Sequence, residues 1–183
     1  MNASLRDAKT NLARRTHRGM NNLIASLLLW LAFAVLVFVA DEIPWKALAY
    51  ILGAGILWPL ALVVGHILKF DLFARGNPLS VLYLLLCGLQ LPFIPLLIGA
   101  YTAAPETMPW YLGVIIGVQY LLFAWLYDSS AYLFCALGTL EVASLIGWLT
   151  PNAAYLVTPF AILGVLLISA IFLHRENALD RAV

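Results

Sequence analysis

The sequence predicts an all-α integral membrane protein, a bundle of six transmembrane helices with both termini cytoplasmic. Composition is the first reason. Of 183 residues, 64% are apolar and 10% charged, with a mean hydropathy of +0.97. A soluble domain is nearer ~45–50% apolar and ~25% charged. The second reason is that the apolar residues form six runs, each about 18 or more residues long, enough to cross a bilayer. The third is the placement of charge. Arg6, Lys9, Arg14, Arg15, Arg18, Lys69, Arg75, Arg175 and Arg181 fall in the segments on one side of those runs, and Lys46 alone on the other. Basic residues collect on the cytoplasmic side of a membrane, so nine of ten obey one orientation.

Residues 1–22 form a basic cytoplasmic tail in which Leu5, Ala8 and Leu12 share a helical face, suited either to an interfacial helix or to a solvated tail. The first span is 23–40. Its long basic lead-in and Phe38 speak against a cleaved signal peptide. The second is 47–68, with Gly53, Gly55 and a Trp58-Pro59 pair that predicts a kink. Gly76-Asn77-Pro78 then makes a turn. The third, 79–101, carries Pro92 and Pro95 near its middle, which predicts a bent or unwound helix whose freed carbonyls need partners. The fourth is 110–127, the fifth 131–149 and the sixth 155–173, followed by a cytoplasmic tail over 174–183. Trp45, Trp110 and Trp148 all fall near the outer interface, as an aromatic belt requires. Every loop is too short to be a separate domain. Three spans plus three would make an inverted repeat, for which only the prolines of the third and sixth spans argue.

The chemistry centres on Glu141. At about 1.5 Å per residue it lies roughly 15 Å from Ala131, close to the bilayer midplane. A carboxyl group at that depth is costly and should face a partner, a water-filled cavity or a proton. Gln90 and Gln119 fall at a similar depth. Together the three suit binding of a small solute or ion, or proton relay; alternatively they hydrogen-bond one another and hold helices together. His66, Asp128 and His174 lie near the inner face and would have to converge to form a metal or proton site, although their spacing matches no ligand motif.

No serine elbow, zinc-binding helix, phosphate loop or paired acidic motif is present, and Lys46 and Lys69 both lie at span ends. No catalytic residue, metal or cofactor is therefore expected. The basic residues are explained by topology, which leaves nothing for nucleic acid. Cys87 and Cys135 fall inside apolar runs and read as packing residues.

The segment from Gly53 to Tyr132 resembles an uncharacterised family of small bacterial membrane proteins, a domain of unknown function, through GAGILWPLALVVGHILKFDLFARGNPL (Gly53–Leu79) and GVQYLLFAWLYDSSAY (Gly117–Tyr132). The resemblance covers a little under half of the chain, with LFARGNPL its most distinctive part. It implies a multi-pass protein of a bacterial cytoplasmic membrane and no catalytic residues, and Glu141 lies outside it. The leading expectation is passage or binding of a small solute or ion around Glu141, Gln90 and Gln119. The alternatives are a non-catalytic sensor, partner or assembly subunit, and an intramembrane lipid-modifying enzyme built on His66, Asp128 and His174. The lipid bilayer is the expected partner, and so small a bundle is compatible with a homo-oligomer.

Overall fold

The computed structural model describes residues 3–182, with side chains from 4 to 179. The described chain is helical throughout: α1 (Ala3–Thr16), α2 (Met20–Val39), α3 (Ile43–Ile67), α4 (Ser80–Cys87), α5 (Ile94–Ala103), α6 (Met108–Tyr127), α7 (Ser130–Leu149) and α8 (Ala154–Ala182), joined by turns and short 3-10 segments. Six helical segments, with α4 and α5 counted as one, are long and apolar enough to cross a membrane. This is the architecture of a multi-pass membrane protein.

The spans close into a ring in which α3 packs on α2, α2 on α8, α8 on α7 and α7 on α6, while α4 and α5 fill the gap between α6 and α3. The central helix is α6, which touches α1, α3, α4, α5, α7 and α8. Its contact with α7 is the most extensive in the molecule, and two glycines one turn apart explain why. A Cβ on Gly117 would lie 2.7 Å from Leu140 Cγ, and one on Gly113 would lie 2.6 Å from Ala143 Cβ. Bare backbone at both positions lets the helices approach until dispersion contacts run along their whole length.

The third span breaks where Pro92 and Pro95 predict it. Helix α4 stops at Cys87, Leu91–Phe93 forms a 3-10 turn, and α5 resumes at Ile94. Other boundaries differ from the sequence reading. Pro44 lies in the first turn of α3, which therefore starts at Ile43 rather than 47, since proline suits a position whose N–H has no helical partner. Helix α2 starts at Met20 and takes in Asn21 and Asn22, both fully buried, which the sequence reading left in the tail. Helix α8 continues to Ala182, well past 173, because Glu176 and Asn177 dock onto neighbouring elements.

The N-terminal segment is a docked helix. Leu12 and Ala13 are buried, and Leu5 and Ala8 are half-buried on the same side. Between α1 and α2 the backbone turns through His17, Arg18 and Gly19, with φ of 50°, 52° and 66°. Tyr132 Oη donates to Gly19 O at 2.9 Å and Asn177 Nδ2 to His17 O at 3.1 Å, fixing this left-handed corner against α7 and α8.

Replacing Gly117 with valine forces its side chain into Leu140. We expect thermal unfolding in detergent to show a loss of about 1–3 kcal/mol, whereas Gly55→Ala, which meets nothing within 4 Å, has no such clash.

Candidate functional site

In a continuous helix the carbonyls of Leu86 and Cys87 would accept from the N–H groups four residues on. At the break, Leu91 N–H turns to Gly88 O at 3.0 Å instead. Leu86 O accepts the Leu89 N–H at 3.2 Å, and side chains meet both carbonyls. Gln119 Nε2, projecting from the central helix, donates to Leu86 O at 2.7 Å and Cys87 O at 3.1 Å. Gln90, oriented to satisfy both ends of its carboxamide, donates to Cys87 O at 3.2 Å and accepts the Trp58 backbone N–H at 3.3 Å. Both glutamines are fully buried. Their geometry is that of a splint: they tie the broken span to α6 and to the turn of α3 that precedes Pro59.

Glu141 does not join them. It lies mid-way along α7 on the outward face, among Leu137, Ser144, Leu145 and Trp148, all exposed. The positions around it explain the orientation. Leu140 and Ala143 are committed to α6 through Gly117 and Gly113, and Gly138 to Val165 of α8, so residue 141 is left pointing away from the bundle. Among the described residues no hydrogen bond or ion pair reaches its carboxylate.

His66, Asp128 and His174 do not converge. All three are exposed, and Asp128 Oδ1 accepts from Lys9 Nζ at 3.0 Å. Among the described residues no group of three histidine, cysteine, aspartate or glutamate side chains could hold a metal ion.

The polar groups that do converge at this end of the bundle are others. Lys9, 3% exposed, also donates to the Trp125 carbonyl and lies 4.0 Å from the centroid of the Trp125 ring. Arg15 grips Asp71, with Nε donating to Oδ2 at 2.8 Å, and donates from Nη1 to Arg75 O at 2.9 Å. Arg18 Nη1 donates to Tyr127 O at 2.6 Å. Asn77 Nδ2 donates to Ala8 O at 2.8 Å, tying the Gly76-Asn77-Pro78 turn to α1. Glu176 accepts from the Ser129 and Ser130 hydroxyls at 2.6 and 2.9 Å and from Ala131 N–H at 3.0 Å. A carboxylate from the last helix thus completes the N-terminus of α7, where exposed N–H groups and the helix dipole favour negative charge.

Sequence reasoning missed a second set. Asn22, Ser26 and Trp30 follow one another at i, i+4 and i+8 on the inner face of α2, and all three are fully buried. The signal was legible, since an Asn-Asn pair opening an apolar run with a serine one turn on is polar spacing of helical period.

The family model described as "Family of unknown function (DUF7010)" matches residues 5–176. That match runs well beyond the stretch in which the sequence alone suggested a resemblance and takes in Glu141. No curated protein and no solved structure matches the chain.

Substituting Gln119 with leucine leaves the Cys87 carbonyl with a single side-chain partner and should cost about 1 kcal/mol, read as earlier thermal unfolding in detergent. Glu176→Ala removes three hydrogen bonds at the start of α7. It should cost about 1–2 kcal/mol, as the loss of a helix cap does, with hydrogen exchange rising first at Ala131 and Tyr132.

Proposed function

The chain belongs to this family of unknown function, from which no activity follows, and we propose from its geometry that it is a non-catalytic partner subunit of a bacterial cytoplasmic membrane. In this reading the end carrying the termini and nine of the ten basic residues faces the cytoplasm. The outward face of α7 then receives a transmembrane segment that carries a lysine or arginine at mid-depth.

The observation that carries the proposal is the position of Glu141: mid-span, outward and without a partner among the described residues. Hydrocarbon offers a carboxylate neither hydrogen bonds nor counter-charge, so the group stays ionised there when something docked on that face meets it. Charge complementarity specifies the occupant as basic. The six spans contain no lysine or arginine at mid-depth, so the cation comes from outside the chain. Ser144, one turn further on and also exposed, supplies a hydroxyl to the same contact. Passage of a solute past Glu141 would instead need a cavity reaching it from inside the bundle, whereas Gln90 and Gln119 are occupied with the broken span. An enzyme built on His66, Asp128 and His174 would need those groups to meet.

The test uses the full chain in lipid vesicles, with fluorescence transfer to synthetic leucine-rich transmembrane peptides that carry either a central lysine or none. The lysine peptide should associate with the wild type and not with Glu141→Gln, which keeps size and removes charge. Equal association of the all-leucine peptide, or retention by Glu141→Gln, would overturn the proposal. So would self-association that the lysine peptide does not displace, which would make the occupant a second copy.

A further inference from the structure

Inside the bundle a group of polar atoms has no partner among the described residues. Both ends of the Asn22 carboxamide, the Ser26 hydroxyl, the Trp30 indole N–H, the Tyr120 hydroxyl and the Thr139 hydroxyl are buried without a hydrogen bond. The five residues come from three helices, and each is fully buried. Successive members on α2 are about 6 Å apart along the axis, since four residues rise ~1.5 Å each. From the facing side Tyr120 brings its hydroxyl towards Ser26, without meeting the geometry of a hydrogen bond. Tyr120 also neighbours Cys135, and Cys135 neighbours Thr139 one turn along α7. The atoms lie on buried side chains of α2, α6 and α7 and make up a polar seam there.

An unmatched buried polar atom costs free energy. A folded protein holds few of them, and a cluster of this kind is ordinarily matched by something bound. The members that make other bonds are instructive by contrast. Asn21, the neighbour of Asn22, donates to Ala61 O at 3.0 Å and accepts from Tyr83 Oη at 3.0 Å, so both of its ends are met. Thr16 likewise donates to Leu12 O at 2.8 Å. Single unmatched atoms also occur elsewhere, at Tyr50, Trp58, Gln119 and Thr158, but the seam gathers six of them on five residues.

We propose that the seam lined by Asn22, Ser26, Trp30, Tyr120 and Thr139 is a binding site for small neutral hydrogen-bonding molecules, water or a solute of the same chemistry. The class follows from the donor set. An amide and three hydroxyls each donate and accept, and the indole donates, whereas no lysine, arginine, aspartate or glutamate belongs to the set. Such a lining suits a molecule that itself carries both donors and acceptors. It offers a bare ion no counter-charge. The site is separate from the outward face of α7, so its occupancy and docking at Glu141 stand or fall independently.

The test is radiolytic labelling of the full chain in lipid nanodiscs, in which hydroxyl radicals arise from water wherever water sits, read residue by residue by mass spectrometry. Tyr83, equally buried but with its hydroxyl donated to Asn21, is the reference. Tyr120 should be oxidised several-fold faster than Tyr83, and Asn22→Leu combined with Ser26→Ala should bring it down to the Tyr83 rate. Slower labelling of Tyr120 in glycerol or urea identifies a solute that displaces water; unchanged labelling identifies resident water. Labelling of Tyr120 no faster than Tyr83 in the wild type overturns the proposal, and that comparison needs no variant to fold.

Discussion

A backbone carbonyl set loose inside an apolar bundle has to be met by the protein itself, and the rest of this structure is arranged around one such place. Pro92 and Pro95 interrupt the third span, and Gln119 donates to Leu86 O and Cys87 O from α6, the central helix. Because α6 is central, the splint on the broken span is also anchored to the helix that seats α7 through Gly113 and Gly117. That seating in turn leaves residue 141 facing outward. The orientation of the acid is thus a consequence of backbone satisfaction and close packing two helices away.

At the end that gathers the termini, charges that a sequence reader assigns to topology also make specific contacts. Lys9, Arg15 and Arg18 reach Asp128, Asp71 and Glu176, the last at 4.0 Å. The buried Lys9 is the most constrained of them, held by a carboxylate, a carbonyl and an indole face. An ion pair with one member out of water depends on such complete coordination, because breaking it strands a charge. The same side chains that would orient the protein in a membrane also lock the turns of that end together.

Span number, approximate span limits and the break at Pro92 were legible because each follows from local chemistry: a run of apolar residues, or a missing N–H. The direction of each side chain was not. These helices are apolar all round, so no stripe separates the face that packs from the face that does not, and Glu141 could be placed in depth but not in azimuth. Gln90 and Gln119 were found by depth, and their task was foreshadowed by the prolines that free the carbonyls they meet. The Gly113-x-x-x-Gly117 spacing was present in the sequence and passed over. Asn21 and Asn22 are polar residues at the edge of an apolar run, a pattern that reads as a boundary, whereas both are interior groups of α2.

The docking of α1 has a consequence for the order in which the molecule is completed. Helix α1 is made before Asp71, Asn77 and Asp128, which hold it, and Asn177, which grips the corner behind it, is made later still. Helix α1 therefore waits while the spans that will receive it are laid down one by one. When the last helix arrives it delivers Glu176 to the start of α7 and Asn177 to the corner at His17. Its arrival closes a loop that runs from α8 back to the corner behind α1, so a chain cut before Glu176 keeps its apolar spans but loses both contacts.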